Sequence, residues 1–496
     1  MKYKNIKISF ILILLLNVFG LMSCSLDSTQ TVYVDNNKSP IKTVEQLKAV
    51  SVGTYALMVG ATYYGRDMII FSEARSPYMY SAGTSGRFNT VSGFNLLATH
   101  AYSSDTWERI YRVILNANLA LEAKVDDNNL EVKYYKGQAY IIRALAHYDL
   151  LRLYGEQYVS GQGLTAKGVP YVKTFANENT DVRRQTVAEN RTNIYADLDN
   201  GIKALKEAKD NGFREPTNRI RINLATAYGL KSRIALFFST FDQSDLEKAI
   251  INVEFSILNA TNSNVVSRSA FLDSYKSGEA QPNSLFELAQ SGNDNLGTNS
   301  LFNIYNTNPG YGDMVWNGNS KSNFFLEVEN GLKISDIRSE VVQRDVRNVF
   351  RNVGKYVSRT SNVKILRYEE LLLIYAEATA LGAPNGDYTK ALGYLNSIVS
   401  NRVLLINPRI ANDTGTPKKY TSLTLDNVRR ERTLELMFEG FGFEDALRAK
   451  KTISNPQSKN NPKLNNGNAN FGDGLLAFPI PQSEINVSKI PQNSAY

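Results

Sequence analysis

The chain has 496 residues, 43% of them hydrophobic, 21% charged and 10% aromatic, and this composition excludes disorder as its main state. A formal net charge of +8 is spread thinly, with no basic run of the kind that tracks phosphates, which argues against nucleic acid as a partner. A single cysteine excludes a disulfide framework and a cysteine-based zinc site, and His100 and His147 alone leave little for metal or acid–base chemistry.

The chain opens on MKYKNIKISFILILLLNVFGLMSC, a positively charged stretch followed by an apolar core from Ile8 through Leu16. That core is shorter than the roughly 20 residues a membrane span needs and fits a secretory leader. Leu21–Cys24, LMSC, resembles a bacterial lipobox, so residues 1–23 read as a lipoprotein signal peptide. Cys24 then becomes the lipid attachment point, carrying a covalent palmitate-type lipid and no redox role. A plain signal peptide with an incidental cysteine is the alternative. No other cofactor is expected.

The mature chain reads as mainly α. Helical spacing runs through Trp107–Val125, with Ile110, Ile114, Ala117 and Leu121 on one stripe, and through Gly137–Gly155, with Gly155 as its cap. Asn193–Ala208, Asn223–Phe241 and Ser244–Ala260 follow. In the second of these, Ala225, Gly229 and Ser232 form a small-residue face for a close neighbour. In the third, Ser244 and Glu247 spell a capping box. A similar pair recurs at Arg367–Gly382 and Asp387–Arg402, so the elements resemble tetratricopeptide-like helical-hairpin repeats. Residues 24–260 read as one region of this kind, and 261–496 as a second that opens on an irregular insertion. Two stretches lack sustained periodicity, Tyr80–Asn95 and about 265–356, and long irregular segments of this sort are usually functional loops.

Catalytic signatures are weak. Glu431, Glu435 and Glu439 recur every four residues along one helical reading, where neighbours cannot flank a glycosidic bond from both sides. They are expected to pair with Arg429, Arg430 and Arg432 or with neighbouring elements. His147 reads as a packing residue, and Asn465–Gly474 as a solvated loop whose spacing fits no calcium motif. No catalytic or metal-binding residue is assigned.

Several segments together resemble the SusD/RagB-like lipoproteins of Bacteroidetes outer membranes: QAYIIRALAHYDLLRLYGEQY with GVPYV, then ILRYEELLLIYAEA, NVRRERTLELMFEGFGFEDALR and LLAFPIPQSEINVSKIPQN. The resemblance implies a largely helical fold and no catalysis. It implies a lipid-anchored protein on the outer membrane, facing outside, that captures oligosaccharides, or in some branches oligopeptides. A SusC-like TonB-dependent transporter is the implied partner. The family pattern usually has Arg where Gly442 stands and continues Arg-Trp-Gly where this chain has Arg448, Ala449 and Lys450, which puts a buried ion pair in doubt. Near the implied ligand loops lie Tyr78, Tyr80, Arg87 and Phe88, and later Tyr305, Asn308, Tyr311 and Trp316, the aromatic and planar polar types that bind sugars. With Trp107 assigned to the helical core, Trp316 is the one indole left for stacking. A periplasm-facing assembly lipoprotein that uses its repeats to bind proteins is the competing reading.

Overall fold

The computed structural model describes residues 40–496 apart from 84, 176–181, 277–279, 309, 319–320 and 322–323. The leader and Cys24 lie outside the described residues. Helix α1 (Val44–Met58) starts from a capping box in which Thr43 accepts the Gln46 N–H and the Gln46 side chain accepts the Thr43 N–H. It is followed by α2 (Asp67–Ala74), β1 (Met79–Ser81) and the short α3 (Asn89–Ser92). The long helices are α4 (Ala101–Leu121), α5 (Leu130–Tyr154), α6 (Val187–Asp210), α7 (Leu224–Phe238) and α8 (Asp245–Asn259).

Short elements fill the next part: β2 (Ser284–Leu288), α9 (Leu301–Tyr305), β3 (Met314–Trp316), β4 (Val328–Glu329), β5 (Leu332–Asp336), β6 (Val342–Arg344), β7 (Phe350–Asn352) and β8 (Val363–Arg367). Helices return with α10 (Tyr368–Ala380) and α11 (Tyr388–Val399), then β9 (Val403–Ile406), β10 (Thr416–Pro417), α12 (Leu425–Leu436), α13 (Gly442–Arg448) and α14 (Gln482–Ser488). Helix accounts for 46% of the structure and strand for 10%, so the mainly α reading holds.

Consecutive helices pack on one another: α4 on α5, α5 on α6 and α7 on α8, while α10 packs on α8, α11 and α12. The two runs of hairpins, separated in sequence, are thus continuous in space. The predicted small-residue face lies at this junction. A Cβ on Gly229 would stand 2.5 Å from Leu366 Cδ2 and 3.0 Å from Ser256 Oγ, and the Ser256 hydroxyl donates to the Ala225 carbonyl at 2.7 Å. Gly229→Ala is therefore expected to destabilise the protein by about 1–3 kcal/mol through overpacking, seen as an earlier urea midpoint with an unchanged slope.

Two local expectations need correction. Ser244 does not form a capping box: its backbone is already helical (φ −61°, ψ −19°), and the Asp242 carboxylate instead takes the Ser244 N–H at 3.0 Å. The helical reading from Asn427 through Arg448 is interrupted. α12 ends at Leu436, Met437 is extended, and Phe438 and Gly440 adopt positive φ (69° and 85°) before α13 begins. That turn carries Glu439 away from the helix line and into the core.

There Glu439 joins a buried ionic cluster. Arg367 donates to Glu435 and Glu369 at 3.0 Å each and to Glu439 at 2.8 Å. Arg402 donates to Glu435 at 3.0 Å and to Glu369 at 2.9 Å, and Lys355 reaches Glu439 at 2.5 Å. Glu431 pairs with Arg338 at 2.7 Å. These carboxylates hold strands, turn and α10 together, through neighbouring elements rather than through arginines of their own helix. Arg429, Arg432 and Arg448 serve Glu377 or Asp445 instead. His147 is a packing residue. It stacks on Tyr171 with ring centroids 3.7 Å apart, donates from Nδ1 to the Arg143 carbonyl, and accepts the Val172 N–H at Nε2. Burial pushes it down to about 3, so it stays neutral.

Candidate functional site

The two irregular stretches meet through a two-stranded antiparallel ladder. β1 and β3 pair Met79 with Trp316, Tyr80 with Val315 and Ser81 with Met314. Two further main-chain bonds extend it, Ala82 N–H to the Asp313 carbonyl at 3.0 Å and Asn317 N–H to the Tyr78 carbonyl at 2.8 Å. The early and late groups of loop aromatics, more than 200 residues apart in the chain, are thereby placed on one surface.

On the open side stand Tyr80, Arg87, Asn308 and Tyr311. Tyr80 and Arg87 are half-buried, Asn308 is exposed, and Tyr311 is 38% exposed. The Arg87 guanidinium lies 3.9 Å from the Tyr311 ring centroid, a cation–π contact that joins the two loops at their tips. Beneath it the Ser85 hydroxyl donates to Asp313 Oδ1 at 2.5 Å. Asp313 is fully buried; desolvation pushes its carboxyl up against the pull of Ser85 and Arg87. Among the described residues, Asp313 Oδ2 and Arg87 Nη1 find no hydrogen-bond partner. A buried polar atom left in this way is costly.

Arg351, on β7, stabilises the loop from below. It bonds the Gly312 carbonyl, donates to the Met314 carbonyl at 2.9 Å, and is held by Asp345 at 2.6 Å.

The remaining candidates lie deeper. Tyr305 is buried, its hydroxyl donating to the Phe438 carbonyl at 3.2 Å. Trp316 is only 5% exposed and packs edge-on against Phe324 and Phe438, so the indole expected to be free for stacking is part of the floor. Phe88 is buried too, stacked on Tyr102 at 4.9 Å. Tyr78 is half-buried against Phe324 and receives a hydrogen bond from Lys451 at 3.1 Å. The cavity that Tyr78 and Trp316 border holds about 10 Å³, room for one water and not for a sugar ring. Of the candidates, Tyr80, Arg87, Asn308 and Tyr311 are therefore the ones open to solvent on this face. Sequence reasoning missed Ser85, Asp313 and Arg351, because nothing in spacing shows that residue 80 pairs with residue 315.

Among the described residues, no group of three His, Cys, Asp or Glu side chains could hold a metal ion, and no helix is long and apolar enough to cross a membrane.

Helical-hairpin repeats carrying an irregular loop face define a class, the SusD superfamily fold. A crystal structure of a SusD superfamily protein from Bacteroides vulgatus superimposes with a TM-score of 0.76 at 25% identity, covering 92% of this chain and 100% of that one. Residues 34–236 match a family described as "Starch-binding associating with outer membrane", and residues 342–496 match the SusD family. SusD-like protein P2 of Formosa agariphila is 31% identical over 157 residues, a match spanning 31% of this chain and 30% of that protein. SusD-like protein P38 of the same organism is 24% identical across 91% of this chain and 93% of its own length. The chain belongs to the SusD/RagB-like family, a family of glycan-binding proteins associated with the outer membrane.

Proposed function

We propose that the chain is the substrate-capturing subunit of an outer-membrane uptake system. It is anchored through a lipid on Cys24, faces outside, and passes oligosaccharides to a SusC-like TonB-dependent transporter without altering them. The observation that carries this reading is the junction of Arg87, Tyr311 and Asp313 on a rigid β1–β3 frame, within a family that binds glycans. An aromatic ring offers a face to sugar C–H groups, while the guanidinium reads hydroxyls, and the buried Asp313 supports the loop from below. Glu435 and Glu439, the buried carboxylates singled out in the sequence, are held in ion pairs with Arg367 and Lys355.

The test is a binding panel of soluble polysaccharides and oligopeptides run with the mature protein. Arg87→Ala and Tyr311→Ala are each expected to weaken binding of the cognate oligosaccharide about tenfold or more, with folding unchanged. Products appearing in the mixture would refute the non-catalytic role, and selective retention of peptides would move the ligand class to oligopeptides. Protease added to intact cells separates an outward lid, which is digested, from a periplasm-facing assembly lipoprotein, which is spared.

A further inference from the structure

A second ligand-sized space lies elsewhere in the fold. It opens between the C-terminal end of α6, the loop 211–223 that leads into α7, and the turn after α8, with Ser284 and Leu285 of β2 as its floor. Its volume is about 410 Å³, within the range of small-molecule sites and large enough for a sugar unit. None of its lining residues belongs to the β1–β3 face.

The frame of this cleft is fixed by groups already committed. Lys209 Nζ donates to Asn259 Oδ1 at 2.9 Å, tying the ends of α6 and α8. Arg219 bonds the carbonyls of Gln281 and Ser284 at 2.7 Å each and that of Asn262 at 2.8 Å. Glu215 accepts the Leu224 N–H at 2.9 Å, which occupies the start of α7.

What is left over is informative. Among the described residues, the Arg214 guanidinium and the Thr217, Thr261 and Ser263 hydroxyls line the cleft without a hydrogen-bond partner. Ser284 Oγ is fully buried and equally unpartnered, which costs about 1–3 kcal/mol if it stays so. Among the described residues, the charged lining consists of Lys209, Arg214 and Arg219 with Glu215.

We infer that this cleft is a second saccharide site, selective for an acidic sugar unit. Hydroxyls of the sugar meet the free threonine and serine groups, and the planar carboxylate of a uronate meets the guanidinium fork of Arg214. A neutral sugar leaves Arg214 unanswered.

The experiment titrates digalacturonate, with cellobiose as the neutral control, into the mature protein and follows binding by calorimetry. Digalacturonate is expected to bind at millimolar or lower concentration, at least about tenfold more tightly than cellobiose. Arg214→Ala, a change at an exposed residue, is expected to remove that preference. The double variant Arg87→Ala, Tyr311→Ala leaves it intact, so failure here is distinct from failure of the loop-face reading. Absence of digalacturonate binding, equal binding of cellobiose, or loss of binding only in the double variant would each overturn the second site.

Discussion

Glu435→Ala is expected to cost about 3–5 kcal/mol of folding free energy, the largest effect of any single substitution considered. Glu435 is fully buried and accepts from Arg367 at 3.0 Å and from Arg402 at 3.0 and 3.1 Å. Burial opposes its charge, but Arg402 and Arg367 outweigh that and hold the carboxyl well below the usual carboxylate range. Removing it leaves Arg367, Arg402 and Lys355 in the core sharing only Glu369 and Glu439, with no route to water. Replacing one partner of a buried pair is far worse than never having built the pair, since an uncompensated charge remains. The depressed carboxyl also fixes the sign of the acid response. Its stabilisation is fully present above the unfolded carboxyl range and is lost as pH falls toward the folded value. Urea midpoints of wild type and variant should therefore converge in strong acid. A loss below about 1 kcal/mol at neutral pH would show that the cluster is not what closes the C-terminal half.

The second large effect has the opposite pH sign. Glu73, on α2, is 2% exposed and accepts the Gly440 N–H at 2.8 Å, and among the described residues no cation stands within ion-pair distance of it. Gly442, where the family pattern has Arg, packs directly against this corner: a Cβ there would lie 2.7 Å from Ser76 Cβ and 3.1 Å from Glu73 Oε2. With only main-chain donors for support, desolvation pushes Glu73 up to about 7. A raised carboxyl favours the fold below its unfolded value and withdraws that support as pH rises through the folded one. The span from 4.5 to about 7 corresponds to about 3 kcal/mol. Wild type should therefore lose stability from about pH 5 to about pH 8, while Glu73→Gln, which keeps an acceptor for Gly440, should hold nearly level. Parallel pH profiles for the two proteins would refute the assignment.

Much of the scaffold was legible in the sequence because helix packing is written locally. The stripe through Ile110, Ile114 and Ala117, and the small face at Ala225, Gly229 and Ser232, follow from a repeat of about 3.6 residues that short-range reading captures. The end of α12 was not legible. No proline marks it, and the chain turns at Met437 because Glu439 is drawn to Arg367 and Lys355, partners far away in sequence. Ser244 failed as a cap for a related reason: Asp242, two residues earlier, reached its N–H first. At the loop face the residue types were readable, since Arg87 and Tyr311 were singled out by chemistry. Which of them face outward was not, because burial of Tyr305 and Trp316 depends on Phe438, which arrives from the far end of the chain.

The frame of the loop face is made of main-chain atoms. The rungs between β1 and β3 join peptide groups, and Arg351 grips carbonyl oxygens of Gly312 and Met314, so neither support consults the side chains at 80, 308 or 311. Recognition and architecture are therefore separable in this region. Randomising those three positions together withdraws the Arg87–Tyr311 contact and leaves the main-chain frame intact. A library built on them would explore new ligands on an unaltered scaffold, and the same independence lets one lineage of chains diversify what it gathers while keeping how it is built.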